Sequence, residues 1–151
     1  MRTLIVAALL AGLLAPLQAL AQATPAAAPA SSKDVTLYKN PQCTCCEDYA
    51  TYLRQNGFKV KVVYTQDLSL ISKERGVPTS LEGCHLSMID GYVVEGHVTV
   101  DLIHRLLRER PKITGISLPG MPMGTPGMDG PKSGPLTVYQ IAPGAPAFGT
   151  Q

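Results

Sequence analysis

Three of the chain's four cysteines fall within four residues, Cys43-Thr44-Cys45-Cys46, and the fourth, Cys84, stands beside His85. The motif follows a β-type run, Val35–Lys39, and the turn signal Asn40-Pro41, and it precedes a helical pattern, so it occupies a strand-to-helix turn. A single disulfide needs only two of these thiols. Cys45 and Cys46 cannot pair without strain, because neighbouring Cα atoms lie about 3.8 Å apart and bridged ones about 5.5–6 Å. The spacing therefore suits two chemistries beyond a staple. One is thiol redox at Cys43 and Cys46, and the other is binding of a thiophilic metal by Cys43, Cys45, Cys46 and Cys84.

The elements around the motif define the fold class. Glu47–Asn56 carries Tyr49, Tyr52 and Leu53 at helical spacing, with Thr44 placed as N-cap and Gly57 as C-terminal cap. Phe58–Tyr64 alternates as a strand, and Asp67 opens a second helix with Leu68, Leu70 and Ile71 that ends near Gly76. Leu86–Ile89 and Tyr92–Glu95 flank Asp90-Gly91, a hairpin turn signal. Thr99 then caps a helix with Leu102, Ile103, Leu106 and Leu107 on one face, stopped by Pro111. The expected fold is α/β, a thioredoxin-like β-α-β-α-β-β-α, with a parallel first pair joined by a right-handed crossover. A Gly/Pro/Met-rich loop, Leu118–Met128, follows, and Leu136–Ile141 reads as an extra edge strand. Pro78 resembles the proline before the third strand of thioredoxins, which makes Val77-Pro78 a candidate cis bond, with trans the favoured alternative.

The N-terminus sets the compartment. Met1-Arg2 is a short positive region, Leu4–Leu14 an apolar one and Ala19-Leu20-Ala21 an A-x-A cleavage site, the signature of a secretory signal peptide over 1–21. The apolar run is broken by Pro16 and Gln18 and is shorter than the roughly 20 residues of a membrane span. Residues 22–33 are Ala/Pro/Ser-rich and read as a disordered linker. One domain is expected over 34–141, then a flexible tail over 142–151. With 13 Lys and Arg against 11 Asp and Glu, the charge gives no reason to expect nucleic acid as partner, and no membrane is expected after signal cleavage.

Cysteines at a helix N-terminus have their thiolates favoured by the helix dipole and by free N–H groups, which serves both nucleophile and ligand. Cys43 is expected to be the more accessible and Cys46 the more shielded. Adjacent residues on an extended segment point to opposite faces, so Cys84 and His85 are not both expected inward; Cys84 is the better ligand candidate, with a solvent-facing imidazole the alternative for His85. His97 is a further candidate, and His104, on a helix beside apolar neighbours, reads as surface or packing. Met121, Met123 and Met128 could fill gaps in a core, but in a Gly/Pro loop the thioethers of Met121 and Met123 become Cu(I) donors if the loop folds over the cysteines. Two other readings stay open. One is a thiol-disulfide oxidoreductase using Cys43 and Cys46, although Cys45 then invites scrambling, and the other is a disulfide-stapled adaptor of the oxidising compartment.

Four segments in order, CTCC after a strand, GCH, GYVVEGHV and PGMPMGTPGM, resemble the CopG family of secreted copper-resistance proteins, which is unrelated to the ribbon-helix-helix regulators of that name. The resemblance spans about Asp34–Ile141. It implies a periplasmic copper-binding protein on a thioredoxin-like fold, serving copper resistance or homeostasis, with a redox role for copper within its scope. The cofactor implied is copper, held as Cu(I), and the partners are copper ions and other periplasmic copper-handling proteins. Up to four thiolates in one site carry more charge than one monovalent ion balances, so more than one Cu(I) is expected.

Overall fold

The computed structural model describes residues 32–151. The expected signal peptide and the linker up to residue 31 lie outside the described residues. The elements run β1 (Asp34–Lys39), α1 (Thr44–Gln55), β2 (Lys59–Tyr64), α2 (Leu68–Glu74), a 3-10 turn (Thr79–Leu81), β3 (His85–Ile89), β4 (Tyr92–Glu95), α3 (Val100–Glu109), β5 (Gly115–Ser117), β6 (Thr137–Ile141) and β7 (Ala147–Thr150).

The strands form one mixed sheet in the order β2-β1-β3-β4-β5-β6-β7. β1 and β2 pair in parallel across α1, and β3 and β4 form the antiparallel hairpin, turning at Asp90 and Gly91, both with positive φ. Helices and sheet together make the mixed α/β, thioredoxin-like arrangement that the element order implies. Period-2 alternation sorts β4 between the faces. Tyr92 and Val94 join α1 and α3 in the main core, whereas Val93 joins Val77, Leu81, Leu86 and Ile141 in a second core on the α2 side. α3 buries Val100, Leu102, Ile103, Leu106 and Leu107. Fully burying one such side chain stabilises by about 1.5–3 kcal/mol, and Leu106→Ala would cost about 2–5 kcal/mol.

The sheet extends further than the sequence pattern implies. β5, only three residues long, pairs in parallel with β4 and is too short to show a period. β6 is the expected late strand, but it is not the edge. Ala147–Thr150, expected within a flexible tail, pairs antiparallel with β6 as β7, and Phe148 is buried against the main core. Val77-Pro78 is trans, since among the described residues no peptide bond is cis. Pro78 does not abut the strand as in thioredoxins; its carbonyl accepts the Leu81 N–H (2.8 Å), closing the 3-10 turn, and the segment that reaches the cysteine motif is Gly83-Cys84.

Candidate metal centre

The centre forms where α1 begins. Cys43 is the N-cap and Thr44 the first helical residue, one position earlier than expected. The first turn winds Cys43 and Cys46 to a Cα separation of 5.5 Å, and they are joined in a disulfide, while Cys45 and Cys84 are free thiols. Cys46 is fully buried, and Cys43 and Cys45 are half-buried, the gradient a helix start predicts. The Cys45 sulfur lies 3.4 Å from that of Cys43 and 4.0 Å from that of Cys84; Cys46 and Cys84 are 3.6 Å apart.

Cys84 arrives from the far side of the sheet sequence through a close approach of two glycines. A Cβ on Gly83 would fall 2.9 Å from the Gly96 Cα, so no larger residue permits this contact. The Gly83 N–H donates to Glu95 Oε1 (2.9 Å) and Ser72 Oγ donates to Glu95 Oε2 (3.4 Å). Glu95 is wholly buried, and burial pushes its carboxyl up to about 8 despite the Gly83 bond.

Cys84 and His85 do converge, contrary to the alternation argument. Cys84 occupies a bend and the strand starts only at His85, so the opposite-face rule does not yet hold. The Cys84 sulfur lies 3.4 Å from His85 Nδ1 and 3.0 Å from His97 Nε2. His97 follows β4 across the hairpin from His85, where the Gly96 N–H donates to the His85 carbonyl (3.0 Å). Both imidazoles are fully buried and meet edge-on with centroids 4.8 Å apart. Burial, then His97 and Lys39, drives His85 down to about 3; burial also lowers His97. Both rings are thus neutral at physiological pH and able to act as metal donors. Burial, reinforced by Cys45, pushes the Cys84 thiol up to about 12, so it keeps its proton until a cation displaces it.

The donor atoms form two groups, Cys43, Cys45, Cys46 and Cys84, and Cys84, His85 and His97, each with its atoms within 4.8 Å of one another. Cys84 belongs to both. His104 stands apart, stacked on Phe58, as expected. The Met loop does fold back on the centre, since the Pro126 carbonyl lies 2.7 Å from His97 Nδ1. Met121 and Met123 themselves are each 56% exposed.

Sequence reasoning passed over Tyr49 as a helix core residue. It is buried, its hydroxyl donates to the Val98 carbonyl (2.8 Å), and its ring lies 4.4 Å from that of His85 and 5.3 Å from that of His97, making it the apolar floor of the imidazole pair. Its place one helical turn beyond Cys45 and Cys46 was the available signal. Lys39 was also unforeseen. It is buried at the end of β1, gives Nζ to Glu47 Oε1 (2.8 Å) and lies over the Tyr64 ring; that bond holds the Glu47 carboxyl below its usual range. No signal distinguishes Lys39 from a surface strand lysine.

Residues 81–128 match a family described as "Protein of unknown function, DUF411". Among curated proteins nothing matches. Two solved structures are similar to the chain. "Copper resistance protein copG- Form 1" is 36% identical over 78% of this chain and 96% of that one, with a TM-score of 0.72. "Copper resistance protein copG- Form 2" is 37% identical over 76% and 92%, with a TM-score of 0.69.

Proposed function

The chain belongs to the CopG family of copper-resistance proteins, and on that premise we propose that it binds copper as Cu(I) at the cysteine–histidine centre, in the periplasm, for copper resistance or homeostasis. The observation that carries this reading is the pair of donor groups joined at Cys84. Thiolates and neutral imidazoles form a soft to borderline set that suits copper. Carboxylates, which hard cations require, are absent from both groups.

The reduced centre holds more than one Cu(I). Four thiolates around one monovalent ion would leave a large uncompensated charge in a half-buried site, whereas sulfurs shared between ions neutralise it. Cys84, common to both donor groups, would contribute its thiolate to copper held with the other cysteines and with His85 and His97. Met121 and Met123 are not needed for this count. In the disulfide form two thiols and two imidazoles remain, so two-electron reduction of Cys43–Cys46 would enlarge the donor set, the route by which a redox role enters.

That disulfide also favours a second reading, a thiol-disulfide oxidoreductase using Cys43 and Cys46. Anaerobic Cu(I) titration of reduced protein against a competing chelator, with X-ray absorption on the product, tests the first. More than one equivalent with a short copper–copper vector is expected, and one equivalent without that vector would refute the cluster. Robust metal-free disulfide reductase activity in Cys45→Ser would favour the second.

A further inference from the structure

His97 is held by the Gly/Pro/Met loop at the one ring atom that faces away from the thiols. The Pro126 carbonyl lies 2.7 Å from Nδ1, while Nε2 is 3.0 Å from the Cys84 sulfur. A carbonyl oxygen can only accept, so the short contact requires a proton on Nδ1. In a neutral ring that leaves the Nε2 lone pair aimed at Cys84. The opposite tautomer would set two acceptors against each other at Pro126 and turn an N–H toward the Cys84 sulfur, leaving Nε2 without a lone pair for a ligand bond.

We propose that the Pro126 carbonyl is a positioning group that fixes His97 in the Nδ1–H form, and that the Thr125–Gly127 turn docks on α1 to hold it there. The inference rests on the copper reading of this centre and adds the group that prepares one of its nitrogen donors.

The docking is close enough to require a glycine. Gly127, at φ +79°, lies so close to the first turns of α1 that a Cβ would fall 2.6 Å from the Tyr49 amide nitrogen and 2.8 Å from the Cys45 carbonyl oxygen. Those are backbone atoms that cannot swing aside. Thr125 is buried, its hydroxyl donates to the Pro122 carbonyl (2.8 Å), and its carbonyl accepts the Met128 N–H (2.8 Å), so the turn is closed by its own hydrogen bonds. The loop is tied at its start as well, where the Gly120 N–H donates to the Glu82 carbonyl (3.2 Å) two residues before Cys84. The same loop therefore braces the Cys84 segment and the His97 ring.

The test reads the tautomer directly, by long-range ¹⁵N–¹H NMR of the histidine rings in the metal-free, reduced full chain, beside Cu(I) affinity by chelator competition. Wild-type His97 should show the proton on Nδ1. Pro126→Ala, which keeps the carbonyl, should preserve that form and the affinity. Gly127→Ala should mix the tautomers and weaken Cu(I) binding about 10–100-fold, the usual cost of losing an outer partner of a ligating histidine. A wild-type His97 protonated on Nε2 overturns the inference whether or not Gly127→Ala folds. So does a folded Gly127→Ala with wild-type affinity, or loss of the Nδ1–H form in Pro126→Ala. An Nδ1–H His97 in a protein that takes up no Cu(I) refutes the copper reading instead.

Discussion

The two halves of the centre are made of opposite materials by opposite routes. The thiol half is local: Cys43, Cys45 and Cys46 share one helix turn, Cys43 and Cys45 half-buried and Cys46 buried, with Cys43 and Cys46 joined in a disulfide. The imidazole half is brought together across the β3–β4 hairpin, has both rings fully buried, and leans on Tyr49, Pro126 and the Gly83–Gly96 contact. The contrast teaches a division of labour: one half can respond to redox conditions because its thiols are strung on a single turn with Cys43 and Cys45 half-open to solvent, and the other keeps fixed geometry because its two rings are fully buried.

The harshest test removes the residue common to both halves. Cys84→Ser should weaken Cu(I) binding by more than the roughly hundredfold upper end of outer-partner losses, and should lower the number of ions bound; chelator competition checks both. Equal losses in Cys84→Ser and Cys45→Ser would erase the distinction between a shared and a one-sided ligand. Next in size, the disulfide form should bind fewer Cu(I) ions than the reduced protein, since it offers two free thiols where the reduced protein offers four. Parallel anaerobic titrations with and without prior thiol reduction measure this, and identical stoichiometries would detach the thiol half from redox control.

A third prediction concerns stability behind the imidazole half. Glu95 titrates at about 8 in the fold against an ordinary value of 4.5, so between those values the folded state holds a proton the unfolded chain has released. Its contribution to stability is complete below about pH 4.5 and is lost as pH rises toward 8. The full loss is on the order of 5 kcal/mol from 1.36 kcal/mol per unit. Glu95→Gln should remove most of this slope, seen as a smaller fall in Tm between pH 5 and 8. His85 acts with the opposite sign: its lowered value makes stability fall as pH drops from about 6.5 toward 3. The smallest effect belongs to Met121→Leu with Met123→Leu. Both side chains are exposed, so stability should move by no more than about 0.5 kcal/mol and Cu(I) stoichiometry should hold; loss of one copper equivalent would bring the thioethers into the site.

The boundary between what could be read in advance and what could not follows the same division. The CTCC turn, the parallel pair across α1, the Asp90-Gly91 hairpin and the stripe of α3 are fixed by near neighbours in the chain: period, caps and turn chemistry act over a few residues. The sequence by itself therefore determined the thiol half, the α/β class and the resemblance that names copper. Tertiary structure alone decided that Cys84 and His85 converge, that Tyr49 floors the imidazoles, that Pro126 reaches His97 and that residues 147–150 close the sheet. The first follows from the bend at Cys84 just before β3, and the others from contacts made only in the folded chain. Such contacts are set by packing and by backbone approach at Gly83, Gly96 and Gly127, quantities that exist only once the chain has folded.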